Sequence, residues 1–151
     1  MRTAMAAIAL LVCCGGSLAD AASSACYRRA EAVADQAIRY TTEVMVMSDT
    51  CHNEAYDRFA LRNRVELVRF QDLLKQHFRR TGGNAQSKLD TFMTHLANEA
   101  ALRTGTQDIA QVCSVAVQFL ATADTLSGES FRHYAEDQVR EHGREYRFCK
   151  E

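Results

Sequence analysis

Histidine and carboxylate side chains stand four residues apart at two places in the sequence, His95 with Glu99 and His133 with Asp137. On a helix this spacing puts both groups on one face, where a pair could ligate a metal ion. Two ligands hold a metal weakly, and the H-E-x-x-H pattern of zinc proteases does not occur in the sequence. We therefore expect each pair to lie on a solvated helix face, and we expect neither a metal site nor a cofactor.

The sequence also lacks the motifs of nucleophilic catalysis, since neither G-x-S-x-G nor S-x-x-K occurs in it. Ser127 is better placed as the N-cap of a helix, with Glu129 near the positive end of the helix dipole. Met45 and Met47 could suggest copper binding, but two residues apart on a helix they point in different directions, so we expect them in the core. We predict that the chain is not an enzyme.

Four polar residues occupy helix faces that are otherwise apolar: Asn63, His77, Gln138 and His142. Buried polar groups need hydrogen-bond partners, so these side chains would line a ligand pocket between helices if they converged. The alternative, which we favour, is that they lie at helix edges near the ends of a bundle, where partners are easier to find.

The start of the chain has the pattern of a secretory signal peptide. Arg2 supplies the positive charge, residues 4–14 form a short apolar run, and small residues lead to the A-x-A sequence at Ala19 and Ala21. We predict a signal peptide over residues 1–21 and a helical domain over residues 22–151, located in the periplasm or secreted.

Four of the six cysteines remain after that cleavage, which predicts two disulfides in an oxidising compartment. Cys26 and Cys51 cannot pair, because the first predicted helix would hold them about 37 Å apart at 1.5 Å per residue. Two pairings remain, Cys51–Cys113 with Cys26–Cys149, or Cys26–Cys113 with Cys51–Cys149. We favour the first pairing, with Gly143 reversing the chain so that Cys149 returns to Cys26.

The charge balance excludes two classes of partner. The net charge is -1, and loss of the predicted signal peptide removes one charge of each sign, Arg2 and Asp20. Nucleic-acid binding requires a basic excess, so we expect no nucleic-acid partner. The longest uncharged run of the mature chain, residues 109–123, falls short of the roughly 20 apolar residues that cross a bilayer, so we also expect no membrane span.

Absence of proline and long stretches of three-and-four apolar spacing predict an all-α, single-domain bundle of about five helices, stapled by two disulfides. We place the helices at residues 24–47, 53–80, 85–103, 109–123 and 129–142. Residues 109–123 carry no charge on any face, which predicts a central helix surrounded by others on most of its circumference.

Leu61, Val65 and Val68 form a narrow apolar stripe away from the main aromatic face of the second predicted helix. Either another helix covers this stripe, or it contacts a protein partner or a second copy of the chain. We interpret the sequence as a non-enzymatic accessory or protein-interaction factor of the inhibitor, immunity or envelope-complex type. The alternative is a small-ligand carrier with an interhelical pocket.

Overall fold

The computed structural model describes residues 26–150, so the predicted signal peptide at residues 1–21 lies outside the described residues. The described chain is all-α, as predicted, with six helices in place of five. They are α1 Arg29–Thr50, α2 Ala55–Arg62, α3 Arg64–Arg80, α4 Ala85–Gly105, α5 Ile109–Thr125 and α6 Glu129–His142, followed by a 3₁₀ turn at Gly143–Glu145. Within residues 26–150, no helix combines the length and apolar character needed to cross a membrane.

The six helices form four rods: α1, α2 with α3, α4, and α5 with α6. Each of the two composite rods is broken between its two helices. α2 and α3 follow each other antiparallel to α1, since Tyr56 lies against Ser48 and Arg80 lies against Glu31. α4 then returns along α1. α5 and α6 again follow each other antiparallel to α1, because the disulfide from Cys113 lies at the end of α1 and Cys149 lies near its start.

The central helix of this bundle is α1, which packs against all five of the other helices. Its apolar residues recur at the three-and-four spacing of a helix enclosed by neighbours, and small side chains let those neighbours approach closely. Its buried apolar residues are Ala32, Val33, Ala34, Ala37, Ile38, Tyr40 and Val44.

The prediction that residues 109–123 form the central helix is wrong. α5 buries only one face, formed by Val112, Ala116, Leu120 and Ala123. Val115 is 72% exposed and Val117 is 66% exposed on its other faces. An uncharged surface is compatible with burial but does not require it, because most folded proteins leave much apolar area in contact with water.

Apart from the Tyr40 hydroxyl, the buried polar side chains of α1 have partners. Thr41 and Thr42 donate to the carbonyl oxygens of Ala37 and Ile38 one turn earlier, at 2.7 and 2.8 Å. The Ser48 hydroxyl oxygen accepts from the Tyr56 amide at 3.0 Å and so fixes the start of α2. Burial therefore costs these groups little, since each exchanges water for a protein partner.

The predicted second helix, residues 53–80, is interrupted at Asn63. Its side chain is buried, donates to the carbonyl oxygens of Phe59 and Leu126 at 3.0 Å, and accepts from the Gly128 amide at 2.8 Å. Leu126 and Gly128 belong to the break between α5 and α6. One asparagine therefore links the breaks of both rods and satisfies backbone groups that the helix ends leave open.

The two disulfides join Cys26 to Cys149 and Cys51 to Cys113, which are the pairs that the sequence favoured. The predicted reversal at Gly143 is wrong, because this glycine has ordinary right-handed helical angles. Cys149 reaches Cys26 without any reversal, since α5 and α6 run in the same direction along α1. The last residues then pair with the first: the Tyr27 amide donates to the Arg147 carbonyl oxygen and the Cys149 amide donates to that of Tyr27.

Replacing Asn63 should show how much the bundle depends on this link. Asn63→Ala leaves the Leu126 carbonyl oxygen and the Gly128 amide without their side-chain partner, which should lower the free energy of unfolding by about 2–4 kcal/mol. Asn98→Ala, on the exposed face of α4, is the matched control and should change it by less than about 0.5 kcal/mol. Urea unfolding monitored by circular dichroism gives both values, and equal effects would contradict the assigned role.

Candidate functional site

The predicted apolar stripe lies on the solvent side of α2 and α3. Leu61 is 76% exposed, Val65 76% and Val68 54%, so no helix of the described chain covers them. The opposite side of the same helices supplies the buried side chains Phe59, Phe70 and Leu74.

Charged side chains border this apolar stripe. Asp57, Arg64, Arg69 and Asp72 are all exposed, and each lies three or four residues from a stripe residue, which places it within one helical turn. The surface therefore has an apolar centre and a rim that carries both signs of charge.

The four polar residues considered as a possible pocket, Asn63, His77, Gln138 and His142, do not share one site. Asn63 is buried at the break between α2 and α3, whereas His77 is buried near the start of α1, where its ring stacks on that of Tyr27 at 3.9 Å between centroids. Gln138 and His142 do come together, in the lining of a cleft between α1, α4 and α6.

This cleft and a neighbouring one share the lining residues Glu43 and Arg103, and α1 forms the floor of both. We call the two together the interhelical cleft. Its polar half measures about 260 Å³ and contains Tyr40, Tyr134 and Gln138, among others. Its apolar half, between α1, α4 and α5, measures about 350 Å³ and contains Val112 and Phe119.

An ion pair joins the two halves of the interhelical cleft. Arg103 on α4 donates to the Glu43 carboxylate on α1 at 2.6 Å, and both residues line both halves. Both side chains are substantially exposed, so the pair contributes little to stability. It places one positive and one negative charge at the middle of the cleft.

Tyr40 lines the polar half, and its hydroxyl is buried without a partner. The residue is only 5% exposed, and its hydroxyl oxygen has no hydrogen-bond partner among the described residues. Burial, reinforced by the neighbouring Tyr134 and Glu43, raises the pKa of the Tyr40 hydroxyl, which therefore stays protonated. A buried hydroxyl without a partner is uncommon, and the oxygen itself is closed to solvent.

The histidine–carboxylate pairs of the sequence lie on exposed faces. His95 is 3.3 Å from Glu99, as the spacing predicts. His133 instead lies 3.4 Å from Glu129 and 3.2 Å from Glu136, while Asp137 contacts Arg140. Both patterns are the local pairings of a charged helix surface.

Near the start of α1, a buried carboxylate collects several partners. Arg80 at the end of α3 donates to both oxygens of Glu31, and the Arg28 amide donates to it at 2.9 Å. Although burial raises the pKa of the Glu31 carboxyl, these hydrogen bonds and the Arg80 charge outweigh burial and hold that pKa below its ordinary value. Burial also lowers the pKa of His77, whose Nδ1 atom lies 3.6 Å from Glu31.

A second buried carboxylate, one turn further along α1, holds the end of the chain. Asp35 accepts from Arg39 and from the hydroxyl of Tyr146 at 2.8 Å. Tyr146 in turn accepts from Gln36 at 2.7 Å. Because these donors belong to α1 and to the C-terminal segment, Asp35 has a structural role in docking that segment.

Sequence reasoning named Gln138 and His142 as possible pocket residues but missed Tyr40, Glu43 and Arg103, which also line the interhelical cleft. Tyr40 follows the apolar register of α1 and so looks like an ordinary core residue. Glu43 and Arg103 are sixty residues apart, and no local pattern connects them. The one available signal was a hydroxyl-bearing side chain at a core position.

Comparisons of this chain with protein-family models, with curated proteins and with solved structures find no match.

The shifted groups around Glu31 predict how stability depends on pH. The pKa of His77 is lowered on folding, so stability should fall as the pH drops below about 6.5, the ordinary value for histidine. The lowered pKa of Glu31 should add a second loss as the pH drops below about 4.3. Both groups therefore lower the free energy of unfolding as the pH falls.

Free energies of unfolding measured from pH 8 to pH 3 test this assignment. His77→Gln should flatten the profile between about pH 6.5 and 5, while Glu31→Gln should flatten it below about pH 4.5. Profiles that keep the wild-type slope in both variants would show that other groups cause the acid sensitivity.

Proposed function

We propose that this chain is a non-enzymatic protein-interaction factor of the periplasm or the extracellular space, and that the apolar stripe is its contact surface. The observation that carries the proposal is the exposure of three large apolar residues within eight positions, Leu61 at the end of α2 and Val65 and Val68 at the start of α3. Isolated exposed apolar residues are ordinary, but a group of them on one part of the surface is typical of a protein contact.

The composition of this surface matches that of a protein contact. Specific interfaces have an apolar centre and a charged rim that remains in contact with water. The apolar stripe supplies the centre, and Asp57, Arg64, Arg69 and Asp72 supply the rim. Three aliphatic side chains alone cover much less than the roughly 800 Å² that each partner buries in a stable complex, so the rim must take part.

The α2 end of the stripe, which carries Leu61, is held rigidly. Arg58 donates to both oxygens of Asp124 at 3.0 and 2.6 Å, and Arg62 donates to the Asp124 carbonyl oxygen at 2.9 Å, which fixes α2 against α5. Asn63 and the Cys51–Cys113 disulfide fix both ends of α2. A surface ordered before binding loses less conformational entropy when the partner docks.

The partner that we infer is an amphipathic helix, because Val65 and Val68 lie one turn apart on α3 and Leu61 precedes them at the end of α2. A second copy of the chain presents such a helix itself. Inhibitor, immunity and envelope-complex proteins are the classes that use such surfaces without performing chemistry of their own.

The proposed location, the periplasm or the extracellular space, is supported by the disulfides and by the signal-peptide pattern. Two disulfides are typical of proteins that fold in an oxidising compartment. The signal-peptide pattern of residues 1–21 points to the same route. The alternative of a small-ligand carrier with a pocket at Asn63, His77, Gln138 and His142 is weaker, because only Gln138 and His142 line a common cleft.

A charge placed in the middle of the stripe tests the proposal. Val65→Glu should reduce the affinity for the partner, or for a second copy, by at least about tenfold, because a carboxylate would be desolvated without a counter-charge. Leu102→Glu is the matched control, since Leu102 is 70% exposed on α4 and lies outside the stripe. Circular dichroism should show the same helicity for both variants and the wild type.

The measurements are light scattering for self-association, and capture of partners from an extract of the native envelope or culture medium. Loss of dimer or of one defined partner with Val65→Glu, but not with Leu102→Glu, supports the proposal. If all three proteins are monomeric and capture the same partners, the stripe is not a contact surface.

A further inference from the structure

The solvent side of α5 carries no charge between Asp108 and Asp124. Residues 109–123 contain no charged side chain, although Ser114, Val115 and Val117 are all exposed. Every other helix within residues 26–150 has exposed charged side chains. An uncharged outer face about 23 Å long, at 1.5 Å per residue, is unusual because polar and charged residues normally cover the outer face of a surface helix.

Four exposed residues of this face lie in one row along α5. They recur at intervals of four, three and four, which is the spacing of residues at a contact between two helices. Most of them have small side chains, so a second helix can approach to about 8 Å, the close end of the usual range. We call this row the α5 seam, and its residues are Ala110, Ser114, Val117 and Ala121.

The α5 seam borders a groove between α5 and α2. The groove measures about 300 Å³, and its lining includes Val117 and Ala121 of the seam and both cysteines of the Cys51–Cys113 disulfide. A helix packed along the seam would therefore contact α2 as well as α5.

The two ends of α5 differ in charge. At its start, the carboxylate of Asp108 is exposed. At its end, Arg58 donates to both oxygens of Asp124, so that carboxylate is already paired. Arg62 lies farther from this carboxylate, at 3.4 Å, and donates to the Asp124 carbonyl oxygen at 2.9 Å. Glu54 lies 3.9 Å from Arg58 and about two helical turns from Arg62, so Arg62 brings a positive charge to this end of α5.

We propose that α5 packs antiparallel against α5 of a second copy of this chain, about a two-fold axis that passes between Ser114 and Val117. A two-fold contact brings one face against the same face of the other copy. Charged side chains on that face would meet like charges, so the uncharged face of α5 is the kind of face that self-pairing requires.

The charges at the ends of α5 favour the antiparallel direction. In this register Asp108 of one copy lies level with Ala123 of the other, whose carbonyl oxygen accepts from Arg62. Each Asp108 therefore meets a guanidinium group, and the two helix dipoles oppose each other favourably. A parallel pairing would instead bring the two Asp108 carboxylates together.

The contact is small. The α5 seam is one helix wide, and with the flank of α2 it falls at the low end of specific interfaces, which total less than about 1,200 Å². We therefore expect a dimer that dissociates at low protein concentration. The seam shares no residue with the apolar stripe, so this contact is independent of the proposed function.

Sedimentation equilibrium of the intact protein over a range of concentrations tests the contact. Ser114→Glu should weaken the dimer by at least about tenfold, because two carboxylates would face each other across the axis. Val115→Glu, about 100° around the helix from Ser114, is the matched control and should dimerise like the wild type, as should Val65→Glu in the apolar stripe. A wild type that stays monomeric, or a dimer that Ser114→Glu leaves intact, would overturn the proposal.

A mixing experiment separates loss of the contact from loss of structure. Ser114→Lys should be as monomeric as Ser114→Glu, but an equimolar mixture of the two variants should recover the dimer, because opposite charges then meet across the axis. Only a second copy bound through the same face can produce this recovery. A mixture that stays monomeric would refute the two-fold pairing of α5.

The direction of the pairing has its own test. Asp108→Asn keeps a residue that caps a helix well and removes the charge. It should weaken the dimer severalfold if Asp108 meets Arg62. An unchanged or stronger dimer would contradict the antiparallel arrangement.

Discussion

The fold depends on one constraint: α1 is enclosed by its neighbours while it carries six buried polar residues, Glu31, Asp35, Gln36, Thr41, Thr42 and Ser48. Each of them would be costly to bury without a partner. Thr41 and Thr42 find their partners within α1. The other four have partners in distant parts of the chain, since Arg80 ends α3, Tyr146 belongs to the C-terminal segment and Tyr56 begins α2. Pairing the polar groups of α1 therefore specifies where the other elements dock, in addition to the apolar core that holds them there.

The same arrangement leaves two surfaces of different chemistry. α2 and α3 use one face for the core and present Leu61, Val65 and Val68 on the other. α4, α5 and α6 flank α1 without closing over it, so part of the α1 face around Tyr40 and Glu43 remains as the floor of a cleft. The first surface is apolar with a charged rim, and the second combines an apolar half with a polar half.

Local patterns in the sequence were enough to predict the helical class, the two disulfides and several helix ends. α6 has the predicted bounds because Gly128 and Gly143 flank it, and α5 begins after Asp108, whose side chain accepts from the Gln111 amide. Long-range features were not predictable in this way. The uncharged sequence of α5 is typical of a central helix, but the central helix is α1, which carries buried carboxylates. These can be buried because Arg80 pairs with Glu31 and Tyr146 donates to Asp35. The interruption at Asn63 depends on Leu126 and Gly128, and the cleft depends on Arg103 meeting Glu43, contacts that no local spacing encodes.

α1, and not α5, is the helix around which the bundle is built. Native-state hydrogen exchange of the backbone amides can distinguish the two helices, because it reports the free energy of opening for each of them. The amides of Ala34, Ala37 and Ile38 should exchange only through global unfolding, whereas those on the exposed side of α5, at Val115 and Val117, should exchange through smaller openings. Slower exchange in α5 than in α1 would contradict the account.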